Sequence, residues 1–519
     1  MQGNGAFERG NGPFEQGNGA FEQGNGAFGQ GNGPFEQGIV AFEQGTVASV
    51  HTIHALQSAA MKRLVILCLL VAASSAAAPP PLDARSRQLA FDIYKQLIEI
   101  NTTNSVGNNT TAAEAMAARL KEAGFASKDI QVLAPSPRKG NLVARLHGTG
   151  KEKPLLLLAH LDVVEARRED WSIDPFVLTE KDGYYYGRGT SDDKAMAAIW
   201  IATLIRFKEE GFVPNRDIIV ALTSDEETGG EFNGVAWLLK EHRDLIDAAL
   251  ALNEGGSGRL KDGRRLYNGV GASEKVYVTF GLETHNKGGH SSAPRKDNAI
   301  YQLANGLVRL EKYQFPVTLN EVTRAYFERM SSIEEGETAA DMKAVTTGDA
   351  AAAARLSETP AYNNQLRTTC VATRLEGGHA DNALPQLAKA TVNCRVLPGQ
   401  SADAVRDTIA NVLDDPGIEI TWIDKPKPSA PSPLTPAVMK PIAGVTSEFW
   451  PGTPVLPLMS AGASDGLYLR NAGIPTYGVS GLFGELTDSR AHGKDERVRI
   501  DSFYDSVQFL YVLAKRLAS

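Results

Sequence analysis

A histidine and a set of acidic residues fall where apolar segments end, and that match of residue type to position is the first chemical signal in the chain. Residues 154–159 are short and continuously apolar, as a buried parallel strand is, and run into His160-Leu161-Asp162. With a side-chain period of two, His160 and Asp162 leave on one side, so the imidazole can take a metal while the carboxylate orients its other nitrogen. A second apolar segment, 217–223, ends in Ser224-Asp225-Glu226-Glu227-Thr228-Gly229-Gly230. The adjacent glutamates can divide two roles, one as ligand and one as proton carrier; the plainer alternative is a solvated acidic turn. A third, 248–252, stops at Asn253-Glu254-Gly255-Gly256. Residues 184–186 read as a short strand and the apolar run from Ala195 as a helix, so Asp192, in Gly187-Arg188-Gly189-Thr190-Ser191-Asp192-Asp193-Lys194, stands where strand gives way to helix. In open α/β sheets that crevice is where ligands bind. Ala491-His492-Gly493-Lys494 lies near the other end.

His160, Asp192, Glu227, Glu254 and His492 together make two imidazoles and three carboxylates, with no thiolate among them. An N/O set without Cys disfavours a closed structural zinc site and suits a catalytic one, with Zn²⁺ the expected metal and Co²⁺ or Mn²⁺ also fitting. Five ligands exceed one open tetrahedral site. Shared between two ions roughly 3.5–4 Å apart with one bridging carboxylate, they suit a co-catalytic hydrolase.

In combination and order, HLDVV at 160–164, GRGTSDDK at 187–194, TSDEETGG at 223–230, LNEGG at 252–256, GGHSSAP at 288–294 and AHGKDE at 491–496 resemble the co-catalytic zinc hydrolases that include glutamate carboxypeptidase, aminoacylase and, closest, carboxypeptidase S. The resemblance spans roughly residues 85–517. It implies that His160 and Glu254 hold one zinc, Glu227 and His492 the other, that Asp192 bridges them, that Asp162 orients His160, and that Glu226 is the general base. It also implies that His290 holds the substrate carbonyl or its oxyanion, often across a dimer, and that Asn382 and Arg395 contact the substrate. An aminopeptidase family with a similar zinc pair is not expected to carry the GGHSSAP segment between the ligands. A guanidinium suits a carboxylate because its planar fork makes two parallel charge-assisted hydrogen bonds. His379, in Gly377-Gly378-His379, reads as structural.

These side chains need a scaffold. Apolar spacing predicts helices at 86–99, 112–123, 195–209 and 233–242, alternating with strands at 140–147, 154–159, 217–223 and 248–252, which is a largely parallel sheet with helices on its faces. From 274 the pattern changes to strand 274–282, helix 297–313, strands 369–376 and 388–397, helix 402–413 and strand 418–423, the elements of a split βαβ, ferredoxin-like domain. The fold class is therefore α/β: a catalytic domain in two parts, 83–273 and 437–519, with an inserted lid or dimerisation domain at 274–425. The Pro-rich stretch 426–436 returns the chain, and the last elements include 474–480 and 502–517. An Ala- and Glu-rich insertion at 316–366 has no functional reading.

The chain's 519 residues, net charge of −8 and ordinary apolar content give no average basic surface, which disfavours a nucleic-acid partner. Residues 3–45 repeat every seven with Phe7, Phe14, Phe21, Phe28, Phe35 and Phe42 in register, too little apolar surface amid Gly and Asn to offset chain entropy, so 1–60 are expected to be disordered or untranslated. Met61-Lys62-Arg63, a short apolar run and Ala76-Ala77-Ala78 lay out a signal peptide over 61–78, with translation starting at Met61 and the mature chain near Pro79, exported to periplasm or medium. That run is too short to span a membrane. Cys370 and Cys394 leave two outcomes open, one bridge or buried thiols.

The expected activity is metal-dependent hydrolysis of an amide bond beside a free carboxylate, as by a carboxypeptidase on small peptides. An N-acyl amino acid deacylase is the alternative, and a metal-retaining binding protein without turnover the second alternative, which the intact Glu226 disfavours. A homodimer through the lid is the expected assembly.

Overall fold

The strand Glu152–His160 runs through the middle of a ten-stranded sheet, and its alternating side chains divide between two cores. Leu155, Leu157 and Ala159 join the cluster on one face, Leu156 and Leu158 the cluster on the other, as a strand buried on both sides must. The computed structural model describes residues 81–424 and 426–519. The expectations for the heptad tract at 1–60 and the signal peptide at 61–78 lie outside the described residues.

In the ten-stranded sheet the order is Ile130–Leu133, Asn141–Leu146, Arg216–Thr223, Glu152–His160, Leu250–Asn253, Thr476–Gly478, Arg264–Glu274, Gly258–Lys261 and Phe483–Glu485, with Val455–Ser460 paired beside Arg264–Glu274. The four strands from Arg216–Thr223 to Thr476–Gly478 are mutually parallel, and the antiparallel pairings lie outside them. One face is covered by the helices Ala84–Glu99, Asn109–Glu122, Lys194–Glu209 and Ile500–Ala518. Lys194–Glu209 is buried on nearly every side, which explains why its sequence is apolar all round rather than striped. Gly234–Glu241 and Gly466–Asn471 cover the other face.

A second sheet has the order Thr369–Gly377, Leu387–Val396, Val276–His285, Ile418–Asp424, all antiparallel, with the helices Ala299–Lys312 and Ala402–Leu413 packed into its own core. This is the split βαβ arrangement. Cys370 and Cys394 face each other in register and form a disulfide that joins the edge strand Thr369–Gly377 to its neighbour. That edge exposes Val371 and Leu375.

Sequence alone places one strand over 274–282; the structure ends one strand at Glu274 in the first sheet and begins another at Val276 in the second, so Lys275 is the joint between them. Arg264–Glu274 escapes a pattern reading because Gly269 and Gly271 interrupt its apolar alternation; both are glycine because a Cβ would strike the backbone of 255–257. The Ala- and Glu-rich insertion forms four helices, Glu321–Met330, Gly336–Val345, Ala350–Ser357 and Pro360–Leu366, closed over Phe327, Met342 and Leu366 and seated against Leu456.

Close approach at Gly478 ties this scaffold to Glu254. A methyl there would collide with the Glu254 carbonyl oxygen in the adjacent strand crossing. Gly478→Ala should therefore lower the unfolding free energy by about 1–3 kcal/mol, the usual cost of overpacking. Urea unfolding in the presence of a chelator measures it, and an unchanged midpoint would show that the strands separate freely.

Candidate active site

His160 is the last residue of its strand and is 2% exposed. Its Nδ1 lies 2.9 Å from the Asp162 carbonyl oxygen, an acceptor only, so Nδ1 carries a proton and Nε2 is the nitrogen that faces the cluster. The Asp162 carboxylate is 3.8 Å from the same nitrogen, because it accepts instead from the backbone N–H groups of Glu226 (3.2 Å) and Glu227 (3.0 Å). The orienting role expected of the Asp162 carboxylate thus falls first to its carbonyl, while the carboxylate fixes the turn that carries both glutamates.

Asp192 lies between the two imidazoles: Oδ1 is 3.0 Å from His160 Nε2 and Oδ2 is 3.2 Å from His492 Nε2. Burial opposes its charge, yet the hydrogen bonds to His160 and His492 outweigh it and hold the carboxyl below its ordinary range. Glu227 Oε2 is 3.0 Å from His492 Nε2, and Glu254 Oε1 is 3.9 Å from His160 Nε2. Glu226 also falls here, its carboxylate grouping with His160 and Glu254. Burial pushes Glu254 and Glu226 well up, and Glu227 to about 7. The five residues expected as ligands are therefore brought together from five segments.

Asp192, Glu226, Glu227 and Glu254 converge with two imidazoles and without a lysine or arginine partner among the described residues, and Glu227 Oε1 is buried with no hydrogen-bond donor. So many part-buried carboxylates crowded together, one oxygen orphaned, fit a site for cations with N/O ligands.

Two residues that hold this site carry no signal of their own in the sequence. Glu496, fully buried, accepts from the N–H groups of Gly189 (2.9 Å), Ser191 (2.7 Å) and Asp192 (3.1 Å) and from the Ser191 hydroxyl, and pairs with Arg188 at 2.7 Å. Arg188 also donates to the carbonyl of Gly493, beside His492. Both lie inside the motifs quoted above, but nothing in those words distinguishes a buried clamp from a surface charge. Asp465 accepts from Asn233 Nδ2 (2.6 Å) and Thr223 Oγ1 (3.0 Å), and burial pushes it up to about 6.

A cavity of about 800 Å³ opens over the cluster, lined by Asp192, Glu226, Glu227, Glu254 and His492 and also by Arg395, Tyr277 and Lys275. Arg395 donates to the Ala461 carbonyl (2.8 Å) and lies 4.6 Å over the Tyr277 ring, its cross-strand partner. His290 and Asn382 are neighbours on a two-stranded ribbon, Gly289–His290 with Ala383–Leu384, where the N–H of Ser291 donates to the Asn382 carbonyl. Both are exposed, and neither lines this cavity. His290 Nδ1 is occupied by Ser292.

Residues 156–516 match the family described as Peptidase family M20/M25/M40. The chain belongs to that family. N-fatty-acyl-amino acid synthase/hydrolase PM20D1 of Xenopus tropicalis is 30% identical over 362 residues, covering 69% of this chain and 71% of that protein. The Probable carboxypeptidase S-like 2 of Dictyostelium discoideum is 29% identical over 380 residues, covering 70% and 71%. The M20 family metallo-carboxypeptidase Sso-CP2 from Sulfolobus solfataricus shares the fold at a TM-score of 0.62 and 19% identity, over 83% of this chain and 99% of that one. The resemblance drawn from the motifs therefore holds, and the protein is an M20-family hydrolytic peptidase. No helix among the described residues is long and apolar enough to cross a membrane.

Removing the Glu496 charge tests the clamp. Glu496→Gln leaves Arg188 buried without its partner and should cost about 3–5 kcal/mol, as breaking a buried pair from one side does. Urea unfolding of the metal-free protein measures it; a loss within experimental error would mean the Asp192 loop is held by other contacts.

Proposed function

We propose that this M20 peptidase is a metal-dependent exopeptidase that cleaves the amide bond next to a free carboxylate, a carboxypeptidase acting on small peptides. The observation that carries it is Arg395, a cation without an acidic partner among the described residues, lining the same cavity as Glu226 and the ligand cluster.

His160 and Glu254 would hold one divalent ion and Glu227 and His492 the other, with Asp192 shared; zinc is the proposed metal, and Co²⁺ or Mn²⁺ fit the same donors. Such a pair, when bound, polarises the scissile carbonyl and makes water a stronger acid. The chain's own residues do the rest. Glu226 takes the proton from the attacking water and returns it to the amine nitrogen as the C–N bond breaks. Its neighbour Glu227 is held in place with it, because the Asp162 carboxylate caps both backbone N–H groups. Arg395 receives the C-terminal carboxylate on the guanidinium nitrogens not committed to Ala461. His290 and Asn382, outside the cavity of their own chain, would serve the substrate carbonyl of a second subunit in a homodimer. The Cys370–Cys394 disulfide supports an exported protein, periplasmic or secreted, where such bonds persist.

A second reading, N-acyl amino acid hydrolysis, is favoured by the relative in Xenopus tropicalis whose name carries that activity. The same carboxylate anchor serves both, so a panel of peptides and N-acyl derivatives of one C-terminal residue separates them.

A peptide should be cleaved far better as its C-terminal acid than as its amide, and Arg395→Met should collapse that preference, with roughly 1.5–3 kcal/mol lost for each charge-assisted bond removed. Comparing kcat/KM for acid and amide in both proteins reads this out; equal rates in the wild type would sink the carboxypeptidase reading. Glu226→Gln should lower kcat by ~10² to 10⁴-fold with metal content retained. Loss of metal from that variant, seen by elemental analysis, would instead make Glu226 a ligand.

A further inference from the structure

Lys275 is the single residue between the strand Arg264–Glu274 of the first sheet and the strand Val276–His285 of the second, and it is 1% exposed. Its ammonium donates to Asn364 Oδ1 (2.6 Å) and to the Arg367 carbonyl (2.7 Å). Both acceptors are neutral, and both come from the end of the helical insertion. Among the described residues no carboxylate pairs with Lys275, since the adjacent Glu274 is committed to Arg470 (2.7 Å) and Ser464. The charge that bears on Lys275 is another cation, Arg395, whose partners among the described residues are likewise a carbonyl and an aromatic ring. Burial, with Arg395 beside it, pushes the ammonium down to about 7, and an approaching carboxylate favours the charged form again, so the charge is fully present when an anion is bound. Glu274 and Asp424 also line this cavity, but neither pairs with Lys275 or Arg395 among the described residues; two unpaired cations on one cavity lining cost free energy, and an arriving anion relieves that cost.

The insertion is built to hold this charge without cancelling it. Asn364 occupies a position where an aspartate would neutralise the ammonium. Arg367 offers its carbonyl while its guanidinium turns away to Gln314 (2.7 Å) and Ser357 (2.8 Å). The insertion is itself anchored on the strand Val455–Ser460, where Gln365 donates to the Met459 carbonyl (3.0 Å) and Arg329 to that of Val455. The same strand receives the Lys275 backbone N–H at Ser460 (2.9 Å).

We propose that Lys275 is a second, buried positive charge for the substrate's carboxylate, acting through space beside Arg395, and that the helical insertion exists at this site to hold it. This rests on the reading that Arg395 faces a substrate carboxylate. An ammonium so enclosed selects by its field rather than by contact, so it discriminates acid from amide without choosing among side chains.

The test measures kcat/KM for one peptide as C-terminal acid and as amide in the metal-loaded wild type, Lys275→Met and Asn364→Asp, with melting temperatures for all three. Lys275→Met should lower the acid-over-amide ratio by about tenfold, through KM rather than kcat, the size expected of one unit charge several ångströms away at a protein's effective dielectric. Asn364→Asp, which leaves the lysine in place and pairs it, should lower the ratio in the same direction. The melting temperature of Lys275→Met should hold or rise, because the removed charge had only neutral partners. A wild-type acid preference untouched in both variants overturns the role of Lys275 and leaves the reading of Arg395 standing. Equal losses on acid and amide with a lowered melting temperature make Lys275 a structural strut and overturn it too. A wild type indifferent to acid or amide removes the carboxylate reading itself, and this inference with it.

Discussion

Five donors converge on one buried carboxylate, Glu496, and the placement of the whole cluster follows from it. The N–H groups of Gly189, Ser191 and Asp192 point inward from a tight loop and would be unpaired without it, and Arg188 neutralises the charge it brings. Glu496 lies four residues after His492, so the clamp also fixes how the His492 loop meets Asp192. From the other side, Tyr94 donates its hydroxyl to the Thr190 carbonyl, and the buried Lys194 donates to the carbonyls of Leu97 and Ile100 at the end of the helix Ala84–Glu99. A loop gripped on both sides cannot relax to ease the crowding of carboxylates in front of it.

That crowding shapes the field in the cavity. Its lining carries the acidic groups and imidazole of the ligand cluster as well as Arg395 and Lys275, so a small substrate meets fields of both signs. Neither group of like charges is favourable by itself. Each becomes favourable with its counter-charge present, so the same features that would make a poor core make a site that accepts its ligand in one orientation.

What the sequence discloses of this is the part governed by local pattern. Residues 154–159 and 217–223 are apolar without interruption because they are buried on both faces, and their ends mark His160 and the Glu226–Glu227 pair. The ferredoxin-like order of strands and helices was equally legible from alternation. Arg264–Glu274 was not, since close backbone approach demands glycine where alternation would call for side chains. Glu496 and Lys275 were hidden for a different reason: whether a charged residue is a solvated surface group or a buried clamp depends on partners 300 or 90 residues away. The family resemblance implies substrate contacts for His290 and Asn382, while their own chain leaves them outside the cavity.

The disulfide at the rim of the second sheet bears on how that sheet opens. An edge strand has hydrogen-bonded support on one side only, and Thr369–Gly377 is exposed along most of its length, so it is the natural place for a sheet to unzip. Cys370 sits at its first turn of register and Cys394 near the end of its neighbour, so the bond closes one end of the zipper and leaves Gly377 at the other. Opening then has a fixed polarity: fraying enters from Gly377, and the chain beside Arg395 is the last to let go.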